Sequence, residues 1–128
     1  MDSLRGVGAL LGRIMLGSVF IGSGIQKIAA PVAIMRFMAS GGLPGSLVPE
    51  LFALSVVVEL LGGLMLAAGW HAELASLIMF LWMIPVTIVF HVSTGQTIEW
   101  EKNLAIMGGL LMVAVLGPGG LSLRRARK

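Results

Sequence analysis

Arg13, Lys27, Glu59, His91, Lys102 and Asn103 are the residues of this 128-residue chain whose types and positions could do chemistry. Each stands within or at the end of a long apolar run. A charge at the centre of a membrane helix costs about 2.5–3.5 kcal/mol even on the gentler insertion scales. Such a residue is therefore kept against a partner or in a cavity. Arg13, Gly17, Phe20, Gly24 and Lys27 recur at steps of four, three, four and three, so on a helix they share one face. Ile14, Met15, Leu16, Val19, Ile21 and Ile25 fill the remaining circumference and suit lipid. Gly17 and Gly24 on that face, and Gly62 and Gly63 beside Glu59, are small enough to let helices pack closely.

At 1.5 Å per residue, Arg13 lies about 12 Å from the inner end of its helix, taken at Arg5, and Glu59 about 15 Å from Gly69. Antiparallel helices would match these depths, which predicts a buried Arg13–Glu59 ion pair. The pair serves either to lock the bundle or as the polar floor of a ligand cavity, and both readings stay open. Toward the opposite face, Gln26 and Lys27 end the first helix, His91 ends the third, and Lys102 and Asn103 open the fourth. Three helices thus bring donors to one depth, which suits a carbonyl, a carboxylate or a headgroup phosphate. Taken singly, the same side chains also fit snorkelling lysines and a helix-capping asparagine. The expected ligand-binding set is Lys27, His91, Lys102 and Asn103, with a short helix around Ile34 and Met38 as a lid. A quinone head matches it: donors for the carbonyls, an apolar slot for the ring, and lipid for the tail. Lysine or histidine could supply a proton to a reduced quinone oxygen. No resident cofactor is evident and no metal site is expected, because His71 and His91 fall on opposite sides of a membrane.

Composition decides what kind of environment these residues occupy. The chain is 57% hydrophobic and 12% charged, with a mean hydropathy of +0.98. A soluble domain carries about a quarter charged residues, so much of this surface faces something other than water. The runs 7–25, 51–68, 74–90 and 104–116 approach the length that crosses a ~30 Å hydrocarbon layer. The first is long for a cleaved signal and carries an arginine, so it reads as retained. The absence of cysteine excludes disulfides and thiolate chemistry in this chain. The formal charge is +3, with basic residues gathered at the tail rather than interleaved with aromatics, which speaks against nucleic acid as a partner.

The expected elements are transmembrane helices over 4–26, 47–68, 72–91 and 99–116, and a basic, exposed tail over 121–128. Pro31 opens a short interfacial helix that Gly41 and Gly42 end. Ser46 is the expected N-cap of the second long helix. Gly69 ends that helix, and the short turn makes a hairpin with the third, in which Pro85 is expected to introduce a kink. The expected fold is all-α: an antiparallel four-transmembrane-helix bundle with a short interfacial helix between helices 1 and 2, in one domain. Arg5, Arg124, Arg125, Arg127 and Lys128 outnumber Lys27, Arg36 and Lys102, which places both termini in the cytoplasm. Gly8 and Gly12 form a small-residue pair suited to helix packing or a homo-oligomer.

In order and spacing these residues resemble the DoxX family of small bacterial membrane proteins. The resemblance rests on Arg13, Gly17, Phe20, Gly24 and Lys27, then Gly42-Leu43-Pro44, then Glu59 with Gly62 and Gly63. It continues through His91, Lys102-Asn103, Gly108-Gly109 and Gly117-Pro118-Gly119. It implies four helices in the bacterial inner membrane, embedded in the lipid bilayer. It also implies two functional readings. One is an accessory subunit of a membrane redox system that binds a quinone or similar amphiphile. The other is a non-enzymatic partner, assembly factor or escort of another membrane protein. A transporter is a third and weaker fit, since four short helices need oligomerisation to form a pathway.

Overall fold

The computed structural model describes residues 2–92, 95 and 97–123, with the side chains of His91 and Val92 outside that description. The regular structure among the described residues is helical throughout. It runs α1 (Asp2–Ala29), α2 (Pro31–Ser40), α3 (Val48–Ala68), α4 (Ala72–Thr87), a π-helical turn (Ile88–Val92) and α5 (Thr97–Leu116). Among the described residues, three stretches are long and apolar enough to cross a membrane: Asp2–Ala29, Val48–Ala68 and Ala72–Phe90.

The seam between α1 and α3 is built on glycine. A Cβ at Gly17 would lie 2.7 Å from the Gly63 carbonyl oxygen, and one at Gly63 would lie 2.9 Å from the Gly17 carbonyl oxygen. The two backbones therefore touch, which only residues without a side chain allow. Gly24 faces Leu60, and Arg13 reaches Leu66 and Ala67, so rising numbers on α1 meet falling numbers on α3. The two helices run antiparallel. The buried residues of α1 are Gly6, Arg13, Gly17, Phe20 and Gly24, while Ile14, Met15, Val19 and Ile25 are exposed. Gly62 does not join this seam. It faces Met79 of α4, so the adjacent glycines of α3 serve two neighbours.

Gly69 closes α3 with φ 76°; its N–H donates to the Leu66 carbonyl, and the Trp70 N–H donates to the Met65 carbonyl. This is a left-handed helix stop that glycine adopts without a Cβ penalty. Phe20, Leu66, Ala72, Met79, Met83 and Leu110 form the main core. Met38, Val48 and Phe90 form a second cluster beneath α2.

One local expectation changes, and two others are refined. The N-cap of α3 is Leu47, with no side-chain cap bond, because α3 begins at Val48 directly after a turn closed by the Leu47 N–H on the Pro44 carbonyl; Ser46 does not cap it. Pro85 sits inside α4, and the helical path continues past it, as expected, into the π-helical turn. The start of the tail is exposed at Leu121 and Leu123, as expected, and it is also tied back to the bundle. The Leu123 N–H donates to the Ala68 carbonyl, and Leu121 packs beside Gly6. Residues 124–128 lie outside the described structure.

Candidate functional site

Glu59 is buried in the middle of α3, and its two carboxylate oxygens are held from α1. The Lys27 Nζ donates to Oε2 at 2.6 Å, and the Ser23 Oγ donates to Oε1 at 3.0 Å. Ser23 and Lys27 are one helical turn apart, so one face of α1 supplies both donors. The side chains of Lys27 and Glu59 retain 18% and 11% exposure, so the pair is mostly shielded but not sealed. Across the bundle, the Asn103 Nδ2 of α5 donates to the Thr87 Oγ1 of α4 at 3.2 Å, and both residues are buried. Lys102 turns outward and pairs with Glu99 at 2.8 Å, exposed at the rim.

All of these residues except Thr87 line a cavity of about 630 Å³ in the half of the bundle away from the chain termini. Phe20 and Met83 lie at its base, Trp82 and Val86 in its wall, and Ile34, Phe37 and Met38 of α2 against its outer end. The Phe37 and Phe90 rings pack with centroids 5.5 Å apart, which seats α2 on the bundle. The lining is mainly apolar with a few convergent polar groups, the composition of a small-molecule site. Chemically it offers a shielded carboxylate–ammonium pair, a serine hydroxyl and a side-chain amide. It can orient a polar head and exchange a proton with it. Among the described residues no cluster of histidine and carboxylate could hold a metal ion.

The expected Arg13–Glu59 pair does not form. Arg13 donates from Nε to the Pro118 carbonyl at 2.9 Å, and from Nη1 to the Leu66 and Ala67 carbonyls at 3.2 and 2.9 Å. Its Nη2 donates to the Leu121 carbonyl. Arg13 is 1% exposed, and its guanidinium caps the C-terminal end of α3, where carbonyls lack helical partners and carry the negative end of the helix dipole. The antiparallel register explains the difference. Arg13 faces the end of α3, while Glu59 lies about two turns further along and meets Lys27 instead. Arg13 consequently belongs to the end of the bundle that holds the chain termini and not to the cavity. Among the expected ligand residues, Lys27, Lys102 and Asn103 line the cavity. The side chain of His91 lies outside the described residues. Ser23 and Thr87 were not expected. The spacing of Ser23 to Lys27 could have signalled the first, whereas no local pattern marks Thr87.

The family model for DoxX matches residues 8–92, which contain Arg13, Lys27, Glu59 and the glycines of the α1–α3 seam. The chain belongs to the DoxX family. It is also similar over nearly its whole length to two proteins of Escherichia coli (strain K12). Inner membrane protein YqjF is 30% identical, with 98% of this chain and 95% of the relative covered. Inner membrane protein YphA is 26% identical, with 94% and 91% covered. No solved structure matches the chain. In this DoxX protein the cavity combines α1, α3 and α4, within the matched segment, with α5, which follows it.

Proposed function

We propose that this DoxX protein is a multi-pass protein of the bacterial inner membrane that binds a quinone or similar amphiphile in the cavity of its helix bundle, as an accessory subunit of a membrane redox system. In this reading α5 is the fourth crossing of an antiparallel bundle, α2 lies at the interface, and both termini are cytoplasmic. The observation that carries it is the apolar cavity with the Lys27–Glu59 pair and Asn103 in its wall. Lys27 and Asn103 offer donors to a carbonyl, and His91 joins them by its place in the sequence. The chain has no cysteine, so electrons would come from a partner subunit, while this protein holds the head and supplies protons. The names of YqjF and YphA support the membrane assignment, as do the apolar helices.

The alternative, a non-enzymatic escort or assembly partner, draws on Gly8 and Gly12. A Cβ at either position meets nothing within 4 Å, so a helix of another subunit or a second copy could seat there. One experiment separates the two. Trp82 lines the cavity, so binding of a short-chain quinone to protein in nanodiscs is read by tryptophan quenching. Saturable binding by the parent, weakened roughly tenfold by Lys27→Ala or Asn103→Ala, is the expected result. Folded variants that bind like the parent would discard this site. A parent without saturable binding would discard the quinone reading and favour the escort.

A further inference from the structure

The helices around the cavity are not joined equally along their length. Between α1 and α3 the backbones touch at Gly17 and Gly63; α3 and α4 are a hairpin; α4 and α5 are tied by Asn103 and Thr87. Between α1 and α5 the close contact lies toward the inner end, where a Cβ on Gly109 would sit 3.1 Å from Leu16. Further out, Ser18, Val19, Gly22 and Gln26 of α1 line the cavity and are also exposed, Val19 to 47%. Beside Gly22 the space is open, since a Cβ there meets nothing within 4 Å. The facing part of α5 contributes Asn103 and Ile106, with the Lys102–Glu99 pair at the rim.

We propose that the cavity opens sideways between the outer halves of α1 and α5, and that this opening passes the apolar tail of an uncharged-headed amphiphile into the surrounding hydrocarbon. The inference rests on the amphiphile-binding reading and adds the route and the ligand class. Charge selects the head. Lys27 is offset by Glu59 and Lys102 by Glu99, so the charged groups lining the cavity among the described residues sum to neutrality. An anionic headgroup would meet two carboxylates. A neutral head that accepts hydrogen bonds meets Lys27 and the Asn103 amide without displacing either ion pair. The tail then needs an apolar exit at the depth of the membrane core, and small residues at 18 and 22 leave room for a chain.

Gly22→Leu places a bulky side chain in the opening at a site where the added Cβ meets no neighbour, and it raises helix propensity. Gly8→Leu makes the same change at an equally open position outside the cavity lining. Binding of two probes to protein in nanodiscs is compared: a tail-less quinone and a quinone with a long isoprenoid tail. Gly22→Leu is expected to weaken the tailed probe at least about tenfold and to leave the tail-less probe within about twofold of the parent. Gly8→Leu should change neither. If Gly22→Leu weakens both probes equally, or neither, the lateral opening is wrong while the binding site stands. If the parent binds neither probe, the site and the opening fall together. Efficient disulfide-linked dimer formation by Gly22→Cys in native membranes would also overturn the opening, because a second copy would cover it.

Discussion

Lys27 and Glu59 show how a buried charge is tolerated when every part of it is answered. One carboxylate oxygen takes the ammonium and the other takes the Ser23 hydroxyl. Removing one partner leaves the other shielded and unpaired, so Lys27→Ala should cost about 2–3 kcal/mol. Lys27→Ala combined with Glu59→Ala should cost less than the sum, because the two changes remove one interaction. Thermal melts of the four proteins in nanodiscs read the coupling, and strictly additive losses would refute it. Arg13 combined with Glu59 should be additive in the same assay, since their bonding partners are separate. Arg13 itself depends on the planar fork of its guanidinium, which distributes donors over four carbonyls. Arg13→Lys keeps the charge but offers a single donor point, and should lower stability by about 2 kcal/mol. Melting of Arg13→Lys at the parent temperature would show that charge alone suffices.

At the scale of elements, the glycines of α1 and α3 sort by what they touch. Gly17→Ala and Gly63→Ala each push a methyl into the opposing backbone, which cannot move without parting the helices. Each is expected to destabilise by about 1–3 kcal/mol, in the range of overpacked cores. Gly62→Ala meets the Met79 side chain, which is flexible, and should cost less. Melting temperatures should rank the variants with Gly62→Ala nearest the parent; a reversed order would mean the α1–α3 seam is looser than the geometry requires. Gly17 and Gly24 could be assigned to a packing face from their spacing with Phe20. That Gly62 and Gly63 turn to different helices depends on where α4 lies, which no pattern within α3 specifies.

At the scale of the whole molecule, the topology turns on whether α5 crosses the bilayer. α5 has 20 residues, enough for about 30 Å of helix. Its first turns carry Glu99, Glu101 and Lys102, which lowers its apolar character at one end. If α5 crosses, a reporter fused after Lys128 and one inserted in 93–97 should report opposite sides of the membrane. Both on one side would remove the fourth crossing and leave α5 packed on a three-crossing core. The C-terminal loop bears on the same point. Arg13 binds the Pro118 and Leu121 carbonyls, so the chain after α5 is tied beneath the ends of α1 and α3.

Composition and periodicity in the sequence determined the helical class, the membrane setting, the buried face of α1 and the approximate bounds of each helix. These are local properties: an apolar run must be helical in hydrocarbon to satisfy its backbone, and a small, charged stripe must turn inward. The partners of the charges were decided only by tertiary structure. Depth counted from helix ends paired Arg13 with Glu59, but the Gly17–Gly63 contact sets a register that faces Arg13 to the end of α3. There the returning C-terminal loop adds carbonyls whose position no count along one helix can supply. The same register leaves Glu59 to Lys27 and Ser23, and so turns a charge expected at the bundle floor into part of the cavity wall.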